Sequence, residues 1–321
     1  MAMRLLRQTK TSFRPDQLDL AIIDRLRNDP QSTNKAIALG LGVSDITIAQ
    51  RLRTLSENRF TRVIAQKDIF ADEASLAYAA YIYTSGRDVK RIAHQIAEID
   101  EVSTVALSVS GPQIVFNTLV RDHQHMGDIV DDALSEISGI KTVSYDLFSS
   151  IHKYAFSYVR LRSPLPPCDI ENENLDRDER IWLLLREDGR LSNREVARRL
   201  NISETNVRHR LSNMLKAKRI KFAAVSDIAA TDHSAVAIVR MAVSPHATKA
   251  LITNLVALPE IQFLASTSGN YNLTAVVLCE NTIELSSLVQ TNLSSKNGVV
   301  NVDTTLTIKP IKARYDLTRI L

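Results

Sequence analysis

The chain repeats itself. Displaced by 159 residues, segment 22–69 aligns with segment 181–228 without a gap, and 13 of the 48 pairs are identical. Chance would give about three, so a duplicated unit explains the match. Ile22/Ile181, Asp29/Asp188, Ala38/Ala197, Ser44/Ser203 and Arg51/Arg210 are among the identities. Downstream the likeness thins but landmarks persist. Ser108-Val-Ser-Gly111 answers Ser266-Thr-Ser-Gly269, and Gly139-Ile140 answers Gly298-Val299. Between the copies, residues 163–174 hold three prolines followed by polar and acidic residues, the composition of a linker. Whatever fold one copy takes, the chain must take twice.

Each copy opens with three short helical segments. In copy two Asp176 or Asp178 can cap a helix bearing Ile181, Trp182 and Leu185, which stops at Asp188-Gly189. Ser192 caps the second, with Glu195 placed to complete a capping box. Ser203 caps the third, where Val207, Leu211 and Met214 recur as one buried stripe. Copy one follows the same plan. Asp16 or Asp19 starts its first helix, Asp29-Pro30 ends it, Thr33 caps the second and Ser44 the third. The stripe of that third helix is Ile48, Leu52 and Leu55.

Three such helices, with a tight turn between the last two, make a helix-turn-helix, whose final helix enters a DNA major groove. The residues facing away from the stripes suit that task. Arg, Asn and Gln can bond base edges, and Ser and Thr either bases or phosphates. The candidates are Ser44, Thr47, Gln50, Arg51 and Arg53 in copy one. In copy two they are Ser203, Thr205, Asn206, Arg208, His209, Arg210 and Ser212. Residues 204–221 carry a net charge of +5 and residues 44–62 one of +2, so copy two reads as the stronger DNA contact.

The period then changes. Strands are expected at 77–83, 102–109, 114–120 and 140–147, with helices at 87–99 and 124–137. Copy two repeats this with strands at 235–243, 261–267, 273–279 and 299–308 and helices at 246–257 and 282–294. The order βαββαβ is the ferredoxin-like split unit. Its glycine turns hold the candidate ligand contacts Ser110, Gly111 and Gln113, and Ser268, Gly269, Asn270, Tyr271 and Asn272. Two readings stand for them: a pocket where loops meet at an interface, or hairpin turns that merely need φ > 0.

These residues resemble the Lrp/AsnC, or feast/famine, transcription regulators. The likeness rests on Leu184-x-x-Glu187-Asp-Gly-Arg-Leu-Ser192, Glu195-Val-Ala-Arg-Arg-Leu200, Ile202-Ser203 and Arg210-Leu211. It continues through the exit Ile220-Lys-Phe-Ala-Ala-Val-Ser-Asp227 and the turn Gly269-Asn-Tyr-Asn272, which is similar to the family's Gly-x-Tyr-Asp. It spans nearly the whole chain, twice. The departures are Arg59 and Lys218 where the family usually has glycine, Asn272 in place of aspartate, and Gly111-Pro-Gln-Ile114 in copy one. The resemblance implies an α+β fold of two tandem repeats. Each is a winged-type helix-turn-helix domain followed by a ferredoxin-like domain of the RAM or ACT type. It also implies a small-molecule effector such as an amino acid, and covalent joining of what is ordinarily a dimer.

Composition narrows the alternatives. Glycine numbers only 9 in 321 residues, and neither GxGxxG nor GxxxxGK[ST] occurs, which argues against phosphate-cradling nucleotide enzymes. Apolar residues at 45% and charged residues at 24% suit a globular chain. No apolar run is long enough for a bilayer and no secretory pattern is seen, so a cytoplasmic protein without membrane contact is expected. Cys168 and Cys279 form no zinc pattern. His123 and His125 with Asp122 and Asp128 could hold a metal, but a helix start explains them more simply. No catalytic triad or paired carboxylates stand out, so neither catalysis nor a cofactor is expected. The enzymatic rival is a sirohaem decarboxylase-like protein, a tandem relative on the same fold. Arg87, Lys90, Arg91 and His94 would be its nearest candidate contacts. A ligand sensor without DNA binding is the third reading.

The expected layout is a basic arm at 1–14, helix-turn-helix domains at 15–66 and 175–225, and effector or assembly domains at 67–162 and 226–321. The linker at 163–174 separates the copies. Double-stranded DNA, a small effector and further copies of the chain, as a dimer or tetramer, are the expected partners.

Overall fold

The computed structural model describes residues 15–71, 76–156, 158–159, 161, 165–172, 174–227 and 235–321; the basic stretch 1–14 and linker residues 163–164 and 173 lie outside them. Copy one begins α1 (Gln17–Asn28), α2 (Asn34–Leu41), α3 (Asp45–Glu57) and β1 (Thr61–Asp68). It continues β2 (Leu76–Thr84), α4 (Val89–Ala97), β3 (Val102–Ser108), β4 (Ile114–Val120), α5 (His123–Asp128), β5 (Ile140–Tyr154) and β6 (Tyr158–Val159). Copy two begins α6 (Arg177–Glu187), α7 (Asn193–Leu200), α8 (Glu204–Lys216) and β7 (Ile220–Asp227). It continues β8 (Ala235–Val243), α9 (Pro245–Val256), β9 (Ile261–Thr267), β10 (Leu273–Cys279), α10 (Thr282–Leu288), β11 (Val299–Ala313) and β12 (Leu317–Thr318). After α5 and α10 the chain continues as π-helical turns, Ile129–Ala133 and Val289–Ser294, where plain helix was expected.

The caps fall where the side chains allow them. Asp16, Thr33, Ser44, Asp176, Ser192 and Ser203 each accept the backbone N–H three residues on. The capping box forms at Asp16 and Asp19. It does not form at Glu195, whose carboxylate instead takes Arg198 and Arg199 at 2.7–2.9 Å. Two guanidinium groups one turn onward are stronger donors than a neutral backbone N–H, and they hold the Glu195 carboxyl down at about 2.

The exit segments are strands, and they pair across the copies. β1 and β7 run antiparallel from Thr61↔Ser226 to Lys67↔Ile220. The helices of both copies pack on this shared ribbon and share its side chains. Val63 of copy one and Ala224 of copy two close the core of Ile22, Leu26, Ile37 and Ile48. Ala65 of copy one lies in the other core, with Ile181, Leu185, Val207 and Met214. Neither helix-turn-helix unit completes its interior alone.

The βαββαβ units join in the same way. β5 pairs with β9 and β11 with β3, so the two four-stranded sheets close into one eight-stranded barrel. Closure removes every free edge of these sheets. It also explains why β5 and β11 run past the expected 147 and 308. Their last halves pair with the other copy, from Phe148↔Thr267 to Tyr154↔Phe263 and from Thr307↔Ser108 to Ala313↔Thr104. The outer faces carry the helices over two apolar cores, one built on Ile82, Ile92, Ile96 and Phe116 and one on Met241, Leu251, Leu255 and Leu264.

Candidate DNA-reading helices and effector turns

In α8 the stripe Val207 and Met214 is buried, which turns Thr205, Arg208, His209 and Asn213 outward. Ser203, Thr205, Asn206, His209, Arg210 and Asn213, with Asp178, border an open concavity of about 510 Å³ on this side. Asn213 was not singled out from sequence, although it lies four residues after His209 on the same face. α3 presents Gln50 and Arg53 outward in the same manner, with Thr47 and Arg51 half-buried. The hydroxyls of Ser44 and Ser203 cap the helix N-termini, where the helix dipole favours a phosphate.

The basic residues divide by partner. Arg51 donates to Asp16 at 2.6 Å and also reaches Asp19, while Arg210 donates to Asp178 at 2.7 Å and to Asn206 at 2.9 Å. These identically placed arginines tie each recognition helix to the start of its first helix. Arg219 shares Asp178 at 3.5 Å. Among the described residues Arg53 and Arg208 pair only with acids on their own helices, Glu57 and Glu204, and their side chains are 80% and 67% exposed. Pairs so exposed are weak enough to yield to phosphate. Ser212 is half-buried.

The glycine turns lie where one copy's sheet meets the other's. In copy two the Ser268 N–H donates to Leu147 O at 3.0 Å and the Leu147 N–H to Ser268 Oγ at 2.9 Å. Gly269 has φ +101°, and a Cβ there would stand 2.5 Å from Asp146 Oδ1. Asn272 accepts the Val243 N–H and donates back to Val243 O, both at 2.8 Å. In copy one Gln113 does the equivalent work, accepting the Thr84 N–H at 2.8 Å. Both amides therefore serve first to hold the ends of β8 and β2. Ser110 reaches Thr304 O at 3.5 Å, Gly111 has φ +66°, and Asn270 is exposed.

Tyr271 leads into the barrel. Its ring lies 4.8 Å from the Arg240 guanidinium, which also covers the Tyr81 ring at 4.2 Å. Arg240 is held by Asp303 at 2.5 and 3.0 Å. Burial pushes the Tyr81 hydroxyl up to about 12, and burial raises the Asp146 carboxyl even though Arg240 pulls it the other way. Arg240 was missed from sequence. The signal was there: an arginine interrupts the apolar run Ala235–Val243, at the position where copy one has Tyr81.

The remaining candidates are accounted for locally. Asp122 caps α5 through the His125 N–H, His125 pairs with Glu101 at 3.0 Å, and His123 bonds the Tyr78 hydroxyl. Among the described residues no three metal-ligating side chains converge, and no helix is long and apolar enough to cross a membrane. Arg87, Lys90, Arg91 and His94 lie exposed on or beside α4, with Arg91 bonded to Gln95 and to Ser138 O.

Comparison with known proteins agrees with this geometry. A winged helix-turn-helix DNA-binding model matches residues 15–59 and again 175–221. An Lrp/AsnC ligand binding domain model matches residues 236–317. An uncharacterized HTH-type transcriptional regulator of Pyrococcus furiosus is 31% identical over 145 residues, which are 45% of this chain and 98% of that protein. One from Pyrococcus horikoshii is 28% identical over 138 residues, covering 43% of this chain and 86% of its own. A relative of that length corresponds to one copy here. Among solved structures, the siroheme decarboxylase NirDL overlays with a TM-score of 0.63 at 16% identity, covering 92% of both chains, which establishes a shared fold.

Proposed function

The chain belongs to the Lrp/AsnC family of helix-turn-helix transcriptional regulators, and from that footing we propose that one chain acts as a ready-made pair of DNA readers governed by a small effector. The observation that carries this is the shared β1–β7 ribbon, which fixes α3 and α8 relative to one another within a single polypeptide. The exposed set Thr205, Arg208, His209 and Asn213, with the half-buried Asn206 beside them, would read base edges, and Gln50 and Arg53 would be the second and weaker contact. Ser44 and Ser203 would position phosphates, and Arg51 and Arg210 would orient the helices. Half-sites one helical turn apart, about 34–36 Å, suit such a pair.

The effector site is proposed at the copy-two turn Ser268 to Asn272 and its partner strand β5, with Ser110, Gly111 and Gln113 as the copy-one counterpart. A ligand there bears on the seam between the copies, and it shifts the molecule only if it binds two seam arrangements unequally. On this reading the protein works as a non-catalytic regulator wherever the genome is, in the cytoplasm, with further assembly of tandem chains.

Gel-shift titration over a promoter library at two salt concentrations tests the core. Specific shifts with a steep salt dependence are expected. The shared overall fold with NirDL favours one second reading, tetrapyrrole chemistry. A chain that shifts no fragment at low salt, yet takes up an iron tetrapyrrole with a visible absorption band, would replace regulation with that reading.

A further inference from the structure

The two sides of the β1–β7 ribbon are sealed unequally. In an antiparallel pair, alternate residues aim their backbone N–H and C=O at the partner strand and the rest aim outward. On β1 the outward residues include Val63 and Ala65. Ala65 O accepts the Trp182 Nε1–H at 3.1 Å and Val63 O the Gly189 N–H at 2.9 Å. α6 is thereby locked to that edge, and a Cβ on Gly189 would come within 3.0 Å of the Ile64 backbone.

The register sets Phe222 opposite Ala65 and Ala224 opposite Val63, so these two face outward on β7. Their seals should come from the residues 159 positions before Trp182 and Gly189, which are Ile23 and Pro30. Neither can donate, since isoleucine has no side-chain N–H and proline no backbone N–H. Over its described residues β6 pairs with β7 at Ser226 and Asp227. Among the described residues nothing donates to Phe222 O or Ala224 O.

A cavity of about 330 Å³ stands in that place, with Arg27 and Pro30 on one wall, Lys221, Phe222 and Ala224 on another and Phe156 on a third. On the sealed side the counterpart of Arg27 is Arg186, which is fully buried, donates to Pro166 O at 2.8 Å and packs against Trp182. On the open side Arg27 reaches Ser226 Oγ at 3.3 Å. The Lys221 ammonium has no hydrogen-bond acceptor among the described residues, and burial lowers its pKa despite the pull of Asp68.

We propose that this cavity binds a small carboxylate that also carries N–H donors, about the size of a dipeptide. Its carboxylate meets Lys221 and Arg27, its one amide N–H donates to Phe222 O, and its terminal ammonium donates to Ala224 O at the edge of β7. The volume is at the lower end of ligand pockets, roughly 300–1,000 Å³. Such a ligand ties α1 of copy one to the strand of copy two and supplies the seal that Trp182 and Gly189 give the other side. This site is separate from the glycine turns and does not depend on them.

The test uses the full chain with glycyl-L-alanine as probe, and acetate and inorganic phosphate as anions without an N–H donor. Glycyl-L-alanine should raise the melting temperature in a saturable manner and give a calorimetric binding isotherm, while acetate and phosphate give much smaller shifts. Lys221→Met should weaken the dipeptide at least tenfold. Ile23→Trp, which by the repeat offers Ala224 O the indole N–H that Trp182 gives Ala65 O, should weaken binding at least tenfold, so the decision survives if Lys221→Met fails to fold. Binding unchanged by Ile23→Trp, equal shifts with acetate or phosphate, or no shift with the dipeptide would each overturn the proposal.

Discussion

Arg59 and Lys218 end α3 and α8 with φ +53°, the left-handed conformation that closes each helix through a bond from the next residue's N–H to Leu55 O or Met214 O. An L-residue held there costs roughly 1–2 kcal/mol, and glycine avoids most of that at an entropic cost of about 0.5–1 kcal/mol. Arg59→Gly should therefore raise the melting temperature slightly, by about 1–3 °C, and a lower melting temperature in calorimetry would contradict this. Gly269→Ala should do the reverse and more strongly, since its Cβ would meet Asp146. The carboxyl of Asp146 is raised by burial, so the folded state favours its protonated form. Its ionisation costs stability above the folded pKa, and the cost fades as pH falls towards the unfolded value near 4. Asp146→Asn should accordingly melt higher than the parent at pH 7, with the gap closing near pH 4. Residue roles of this local kind were largely legible: a cap is one side chain and one backbone N–H three residues apart. Arg240 and Asp146 were not, because part of what surrounds them, Tyr81 for Arg240 and Gly269 for Asp146, comes from the other copy.

At the scale of the element, α8 separates two sorts of arginine. Arg208 lies exposed beside Glu204 of its own helix, whereas Arg210 is tied to Asp178 on α6. Arg208→Ala should weaken DNA binding by about 1–3 kcal/mol while leaving the melting temperature in place. Arg53→Ala should cost less binding, and equal losses in the two variants would refute the ranking of the copies. Arg210→Ala should lower the melting temperature as well as the affinity, since it leaves Asp178 with only the longer contact to Arg219. The helices and most strand ends followed from apolar period and caps. The strand character of 61–68 and 220–227 did not, nor did the full reach of β5 and β11. A strand is defined by its partner, and these partners lie in the other half of the chain.

At the scale of the whole molecule, the barrel seam has a direction. The position held by Arg240 in copy two is held by Tyr81 in copy one, and the two side chains stack on each other. Asp303, which pairs with Arg240, answers to Ser144. Two copies of the second half meeting each other would set arginine against arginine. Arg240→Ala should thus loosen the seam of the full chain, read as a lower melting temperature with the DNA-reading faces untouched. A covalent tether and a one-way fit together free this protein from the law that governs separable pairs. Diluting such a pair empties its operator with the square of concentration, whereas here occupancy falls only in proportion, as far as a single chain suffices. Even a cell holding a handful of molecules keeps the two halves of every one of them together, and each half can drift in sequence without dragging an identical twin along.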